Sequence, residues 1–258
     1  MGDIMYISMK NLIVNSLDEK TILNNFNLDI NPGETHVIMG PNGTGKSTLS
    51  KTILGNNDYK IISGDILVNN NSIKNMTTDE RARLGIFLVN QSPISIEGVT
   101  NSEFLRTALA SVTGEKVGIY QFMKEMNSCI NDLQMDPAMM HRSINQDFSG
   151  GERKKNEILQ MKILKPKFII LDELDSGLDV DSLKVVCSNI NKYKEENPET
   201  SILMITHYPR ILEYIEPNFV HMMLNGKIVK SGTKELAFEI ENNGYEVINT
   251  MEEEQKHE

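Results

Sequence analysis

At the centre of this sequence stands Gly40-Pro41-Asn42-Gly43-Thr44-Gly45-Lys46-Ser47-Thr48. The segment follows the strand-like run of residues 36–39 and opens into the helical pattern of residues 49–54. That order of strand, glycine-rich loop and helix is the context that the pattern G-x-x-x-x-G-K-[ST] requires. Backbone N–H groups and the helix N-terminus would surround phosphates, Lys46 would reach the β- and γ-phosphates, and Ser47 would bind Mg²⁺. We therefore predict a triphosphate site here rather than an idle glycine turn.

Composition limits the classes of protein to which the chain can belong. Its 258 residues suit one α/β body with an inserted subdomain. The net charge of −10 provides no basic surface for DNA or RNA, so nucleic acid is not expected as a partner. Cys129 and Cys187 form no C-x-x-C pair. A reduced setting with two buried, apolar cysteines fits this spacing.

No segment of the sequence has the pattern of a membrane anchor. The N-terminus lacks the basic and apolar regions of a signal peptide, and Tyr6 occupies the position where myristoylation requires Ser or Thr. The apolar runs are far shorter than the roughly 20 residues that cross a bilayer. We expect a cytoplasmic protein without direct membrane insertion, so that any membrane contact would come from another chain.

Two regions flank residues 40–48, the predicted phosphate-binding loop (P-loop). Apolar and polar residues alternate in 5–14 and 24–30, which predicts antiparallel strands that form a lid on a parallel sheet. From Thr100 to about residue 146 the pattern is helical, and Thr100 with Glu103 predicts a capping box. A stripe of apolar residues begins at Ile119, and its methionines favour a core position. Met139 and Met140 leave the alternative of an exposed docking surface open.

Polar residues follow three apolar strands. Gln91 comes after the strand at 86–89, Asp172 and Glu173 end the strand at 168–171, and His207 follows the strand at 201–206. Ligands of open α/β sheets gather beyond the carboxyl ends of the strands. Two acids at a buried strand end are costly unless a cation or a reaction uses them. We therefore expect all four side chains near the phosphates.

A second glycine-containing helix start lies at Ser149-Gly150-Gly151-Glu152. A serine cap followed by helical spacing indicates a helix N-terminus that can bind an anion. Taken alone, the segment equally fits a helix that is merely capped. The loop Ser176-Gly177-Leu178-Asp179 follows the paired acids.

The order of these motifs resembles that of ABC-type ATPase cassettes. This resemblance implies a P-loop NTPase fold of class α/β, with a parallel RecA-like core sheet, an N-terminal antiparallel β subdomain and an inserted helical subdomain. It implies a single cassette over residues 1–248, with the helical subdomain at approximately 98–164. Residues 249–258 would form an acidic tail.

The same resemblance implies a role for each motif residue in the hydrolysis of ATP with Mg²⁺. Asp172 and Ser47 would hold the metal, and Gln91 would touch the metal or the attacking water. Glu173 would act as general base, and His207 would contact the γ-phosphate. The remaining cofactor-binding residues would act across a head-to-tail dimer, in which one copy closes on the ATP of the other: Ser149, Gly150, Gly151, Glu152 and Asp179.

Within that superfamily the chain is most similar to the ATPase subunit of the Suf iron–sulfur cluster assembly machinery. The similarity spans roughly residues 5–248. It implies binding to Suf-type scaffold subunits of the SufB and SufD kind, which ATP-driven dimerisation would move. The segments that carry it are Gly85-Ile86-Phe87-Leu88, Gly98-Val99-Thr100-Asn101, residues 148–152 with 156–161, 171–173 with 175–179, and 206–208 with 210–212.

Two other functions remain open. The nucleotide-binding subunit of an ABC membrane transporter would share every motif except the partner surface, and an ATP-binding switch would share the P-loop without turnover. The sequence also departs from the family at two places. Residues 15–20 offer no aromatic side chain to stack on adenine, and Leu174 occupies a position where Suf-type ATPases usually have a small or hydroxyl residue.

Overall fold

The computed structural model describes residues 4–91 and 93–245, and the proposed acidic tail at 249–258 lies outside them. The first half of the chain contains β1 (Ile7–Ser16), β2 (Thr21–Ile30), β3 (Thr35–Met39), α1 (Lys46–Ile53), β4 (Tyr59–Val68), β5 (Asn71–Ser72), α2 (Thr78–Leu84), β6 (Ile86–Val89), β7 (Ile96–Thr100), α3 (Asn101–Thr113) and α4 (Ile119–Asp132). The second half contains β8 (Ser143–Ile144), α5 (Gly150–Leu164), β9 (Phe168–Asp172), α6 (Val180–Glu196), β10 (Ser201–Ile205), β11 (Phe219–Leu224), β12 (Lys227–Gly232) and α7 (Lys234–Asn243).

A six-stranded sheet in the order β12-β11-β3-β10-β9-β6 forms the centre of the molecule. Strands β11, β3, β10, β9 and β6 run parallel, and only β12 is antiparallel. Every residue of β3, β9 and β10 is buried, as expected for parallel strands covered on both faces. Parallel strands end at the same edge, so the sheet brings the P-loop, Asp172 and His207 to one side. The predicted α/β core is confirmed.

The predicted antiparallel lid is a four-stranded sheet in the order β2-β1-β4-β5. Alternate residues of β2 are buried, among them Leu23, Phe26, Leu28 and Ile30. They pack in one apolar cluster with Ile38, Leu49 and Ile53 of the P-loop unit. Burial of this face fixes the lid over the strand and the helix that flank the P-loop.

The helical region differs from its prediction in detail. It contains α3, α4 and a short 3₁₀ turn at Pro137–His141, together with the two-stranded β7–β8 pair that the sequence did not predict. Thr100 accepts a hydrogen bond from the Glu103 N–H, which confirms the capping box. The bounds of 98–164 for an inserted subdomain stay a prediction.

The methionines of this region belong to the core. Met139 and Met140 are buried with Phe122 and Met126 in the larger apolar cluster. The alternative of an exposed docking surface at these two residues is therefore wrong, because the 3₁₀ turn directs both side chains inward. Ile119, the first residue of the expected stripe, is instead 63% exposed, since it stands at the N-terminus of α4.

Cys129 and Cys187 are both free and buried, as predicted. Burial raises the pKa of the Cys187 thiol to about 12, which keeps it protonated. Leu174 is completely buried in the larger apolar cluster. Within the described ranges, none of the helices has the length and apolar character needed to cross a bilayer.

Candidate functional site

The P-loop presents an uncapped helix start to the cleft above it. Gly45, the N-cap of α1, has φ of 101°, and Gly43 has φ of 82°. Both values lie in the left-handed region that favours glycine. No side chain caps α1 and no acid lies in its first turn. The N–H groups of this turn and the positive end of the helix dipole are thus available to an anion.

A cleft of about 630 Å³ lies over this loop. Lys46 is buried beside it, and its Nζ donates to the carbonyl oxygens of Gly40 at 2.8 Å and Pro41 at 2.9 Å. Burial lowers the pKa of Lys46, although Glu173 and Asp172 oppose the shift. The ammonium is thus held at the floor of the cleft, within the loop that surrounds the phosphates.

Asp172 has one carboxylate oxygen without a partner. Ser50 Oγ donates to Asp172 Oδ2 over 2.9 Å, whereas Oδ1 is buried and makes no hydrogen bond. The side chain is only 4% exposed, and its burial raises the pKa of the carboxyl group. A buried, unsatisfied carboxylate oxygen is costly in the absence of a cation. Hard oxygen ligands of this kind suit Mg²⁺, so the residue fits the metal role.

Glu173 is held from two sides at the strand end. His207 Nε2 lies 3.2 Å from Glu173 Oε1, and Gln91 Nε2 contacts Oε2. These side chains come from the ends of three different strands, β6, β9 and β10. A second cleft next to the first is lined by Asn42, Gln91, Glu173 and His207. The structure therefore brings together three of the four strand-end residues that the sequence singled out. Asp172 directly precedes Glu173 but is not among the described residues that line either cleft.

Two further segments line the cleft, and the sequence analysis assigned neither of them to it. The tip of the β11–β12 hairpin, Asn225-Gly226, lines the cleft together with residues 20–22. Gly226 N–H donates to Thr44 O at 3.1 Å, and Asn24 N–H donates to Gly226 O at 3.0 Å. The hairpin turn was predictable, but its place at the P-loop depends on β11 pairing with β3. The described lining contains no Phe, Tyr or Trp.

The second helix start is separate from this cleft. Ser149 Oγ accepts from the Glu152 N–H, and Glu152 Oε2 accepts from the Ser149 N–H at 2.7 Å, which makes a capping box on α5. None of residues 149–152 is among the described residues that line the cleft. Asp179 is the N-cap of α6 and accepts from the Ser182 N–H at 2.7 Å. Roles for these residues across a dimer stay predictions.

A family model described as "ABC transporter" matches residues 23–176, which is more than half of the sequence. The chain belongs to the ABC transporter family. The cassette is 48% identical over 244 residues to Vegetative protein 296 of Bacillus subtilis strain 168, covering 94% of this chain and 92% of that protein. It is 47% identical over 246 residues to the "Probable ATP-dependent transporter slr0075" of Synechocystis, covering 94% of this chain and 95% of that protein.

Solved structures agree with the fold of this ABC cassette. The dimeric structure of MJ0796, a bacterial ABC transporter cassette, has a TM-score of 0.77 at 23% identity, covering 88% of this chain and 98% of that one. The structure of MJ1267 in its ADP conformation has a TM-score of 0.74 at 22% identity, covering 96% and 99%. The predicted cassette fold is therefore confirmed. Family membership likewise confirms an ATPase that uses ATP and Mg²⁺.

Proposed function

We propose that this cassette hydrolyses ATP with Glu173 as the general base and thereby powers a Suf-type iron–sulfur cluster assembly machine in the cytoplasm. One observation supports the chemical part most strongly. Glu173 is oriented by Gln91 and His207 at the edge of the cleft, directly after Asp172 with its unpaired Oδ1. Such a base can accept a proton from an attacking water.

The roles of the surrounding residues follow from charge and position. Ser47, Asp172 and Gln91 would hold Mg²⁺, which neutralises charge on the phosphates when it is bound. Lys46 and the first turn of α1 would bind the β- and γ-phosphates, and His207 would contact the γ-phosphate. Phosphoryl transfer needs positioning and charge neutralisation more than covalent chemistry. The arrangement of this cleft supplies both requirements.

A second copy of the chain would complete the site. Helix α5 has a glycine-containing start that does not line the cleft over the P-loop of its own chain, so it would approach the triphosphate of another molecule. In a head-to-tail dimer Ser149, Gly150 and Gly151 of one copy would close on the ATP of its twin, with Asp179 reaching across. ATP would then stabilise the dimer, and hydrolysis would release it.

The Suf assignment is supported by the segments that resemble the Suf ATPase along most of the chain. The alternative is the nucleotide-binding subunit of a membrane transporter. The names of the relatives favour it, since four organisms supply a "Probable ATP-dependent transporter ycf16" at 44–49% identity. Both functions use the same cleft. They differ in the partner that the conformational change moves.

Capture of partners from the native host would separate the two functions. The tagged full chain would be recovered once from the soluble fraction and once from detergent-solubilised membranes, with ATP and Mg²⁺ present. We expect cluster scaffold subunits in the soluble capture. Recovery of an integral membrane permease, without scaffold subunits, would overturn the Suf assignment in favour of the transporter. Lys46→Ala serves as the control for partners that depend on bound ATP.

A further inference from the structure

The backbone N–H and C=O of Asn90 are held by two buried, ionisable side chains of α5. Asn90 N–H donates to Glu157 Oε1 over 2.8 Å, and Lys154 Nζ donates to the Asn90 carbonyl oxygen. Lys154 Nζ and Glu157 Oε2 lie 3.4 Å apart, with side chains that are 3% and 6% exposed. Asn90 directly precedes Gln91, whose amide contacts Glu173. The pair therefore holds the backbone from which Gln91 reaches the general base.

Helix α5, rather than the sheet, binds the backbone of Asn90, because this residue lies beyond the end of strand β6. Strand β6 is at the edge of the six-stranded sheet, and its register with β9 ends at Val89 opposite Leu171. The chain that follows Val89 therefore leaves the sheet. Glu157 and Lys154 satisfy the N–H and the C=O of Asn90, the first residue beyond the strand. Without these partners the two backbone groups, whose hydrogen bonds are only partly buried, would have to pair with water or with other groups.

A buried ion pair is a costly way to stabilise a fold. Removing two charges from water carries a large desolvation penalty, and apolar residues of similar volume often stabilise a protein as well or better. The place of Lys154 and Glu157 on the helix therefore says more about their role than the fact that they form an ion pair. On a 15-residue helix, these two charges occupy the turn that faces the Asn90 peptide. This placement indicates a role in the geometry of Gln91 rather than in stability alone.

The same helix begins at the second glycine-containing site. Glu157 follows Ser149 by eight residues, a distance of roughly 12 Å along a helix. A rigid α-helix of this length moves as one body. Any movement of the Ser149 end relative to the core sheet would therefore carry the backbone of Asn90, and Gln91, with it.

We propose that Glu157, with Lys154, is a positioning residue that sets Gln91 against Glu173 and so links the helix start at Ser149 to the general base. This inference rests on the proposed function, because it assumes that Gln91 and Glu173 act in hydrolysis. It adds a residue outside the cleft whose effect on catalysis passes through Gln91.

Two substitutions at Glu157 test the proposal. Glu157→Leu removes the acceptor for the Asn90 N–H, whereas Glu157→Gln keeps an acceptor oxygen at the same reach. Because a misplacement of about 1 Å can cost about 100-fold in rate, we expect Glu157→Leu to lower kcat by about 10- to 100-fold. Nucleotide affinity, measured with a fluorescent ATP analogue, should stay unchanged because the P-loop is intact. Glu157→Gln should recover most of the lost kcat.

A matched control lies on the same helix. Lys162 is also buried, and its Nζ donates to Asp132 Oδ2 and Asn189 Oδ1 at 2.7 Å each. Neither partner touches Gln91 or Glu173. Lys162→Met should lower the thermal midpoint as Glu157→Leu does, yet leave kcat unchanged. If Glu157→Leu does not fold, Glu157→Asp replaces it, since that variant keeps the charge but shortens the reach.

A double-mutant cycle with Gln91→Ala decides whether the effect passes through Gln91. We expect Gln91→Ala to lower kcat and Glu157→Leu to cause no further loss in that background. Equal fractional losses in both backgrounds, or a parallel loss of ATP affinity, would overturn the positioning role while leaving the proposed function intact. A wild-type kcat for Gln91→Ala alone would instead refute the assumed role of Gln91, and the inference with it.

Discussion

His207 Nε2 lies 3.2 Å from Glu173 Oε1, so the ends of β10 and β9 meet at the general base of the proposed reaction. Glu173 has φ of 47°, a left-handed conformation that is uncommon for a residue with a side chain. Its N–H donates to Ile205 O over 2.9 Å, which ties this backbone to β10. Strain of this kind persists where the surrounding structure enforces it. Here it coincides with the residue that we assign to proton transfer.

Replacement of Glu173 by Gln keeps the shape of the side chain and removes its basicity. We expect turnover to fall by about 10²- to 10⁴-fold, the usual contribution of a general base, while nucleotide binding persists. An ATP-bound dimer should accumulate, because the step that releases it is blocked. Phosphate release and light scattering after gel filtration would measure the two effects. Turnover at the parent rate would rule out the base assignment, whereas negligible turnover of the parent chain itself would favour the ATP-binding switch.

Two inactive variants should complement each other if the site is shared between copies. Lys46→Ala should weaken ATP binding because the buried ammonium beside the phosphates is lost. Ser149→Arg should block the helix start of α5 but leave the P-loop of its own chain intact. In an equal mixture half of the dimers are mixed and have one intact site, so about a quarter of the parent ATPase rate should return. Lys51→Ala, which affects a half-buried lysine of the same helix, controls for the change of charge. A mixture as inactive as its components would exclude the shared site.

Arg81 should be a major determinant of stability through the far end of the P-loop helix. Its fully buried guanidinium donates to the carbonyl oxygens of Thr52 at 2.8 Å and Ile53 at 2.9 Å. It also donates to the carbonyls of Lys74 and Met76. Arg81→Met would leave buried carbonyls without partners, which we expect to lower the free energy of unfolding by at least about 3 kcal/mol.

The control for this substitution is Arg83→Met on the same helix. Arg83 pairs with Asp79 on the surface, with side chains 44% and 66% exposed, so its loss should cost far less stability than the loss of Arg81. Urea unfolding of both variants would measure the difference. Equal losses in the two variants would contradict the assignment of Arg81.

The pH dependence of stability should reveal a buried histidine pair on β3 and β11. His36 Nδ1 and His221 Nε2 are 2.9 Å apart, His36 Nε2 contacts Glu34, and His221 Nδ1 contacts Ser231 Oγ. Burial lowers the pKa of His221 from 6.5 to about 3. Between these values the unfolded chain binds the proton and the folded chain does not. The contribution of this histidine to the free energy of unfolding is therefore fully present above pH 6.5. It falls as the pH decreases, by about 1.4 kcal/mol per pH unit.

His221→Gln removes this titration and keeps a side-chain amide that can hydrogen-bond to His36. We expect its free energy of unfolding to fall less steeply than that of the parent between pH 6.5 and pH 4.5. Urea titrations at three pH values would measure both slopes. Identical slopes would show that His221 is not the group that carries this dependence.

The local motifs were accessible from the sequence because their meaning depends on a few adjacent residues. The glycines of residues 40–48 predict a loop with positive φ, and Gly43 and Gly45 have it. Ser149 before the helical spacing predicts a serine-capped helix start, which the structure contains. Gln91, Asp172 and His207 could be expected at one edge, since each follows an apolar run and parallel strands share a direction. A hydrogen bond between residues three positions apart, or the end of a strand, can be predicted without knowledge of the remaining fold.

The remaining relationships depend on contacts between distant parts of the chain. The Asn90 peptide meets Glu157 across 67 positions, and Arg81 reaches the end of α1 across 29. The hairpin tip at Gly226 lies at the P-loop because β11 pairs with β3, and the histidine pair forms for the same reason. The sequence pattern around Met139 and Met140 is the same whether they are buried or exposed, so it could not decide between the two. Sequence alone thus set the chemistry of each motif. Which motifs meet was decided by tertiary packing. Contacts between distant parts of the chain form only when many side chains pack together at once.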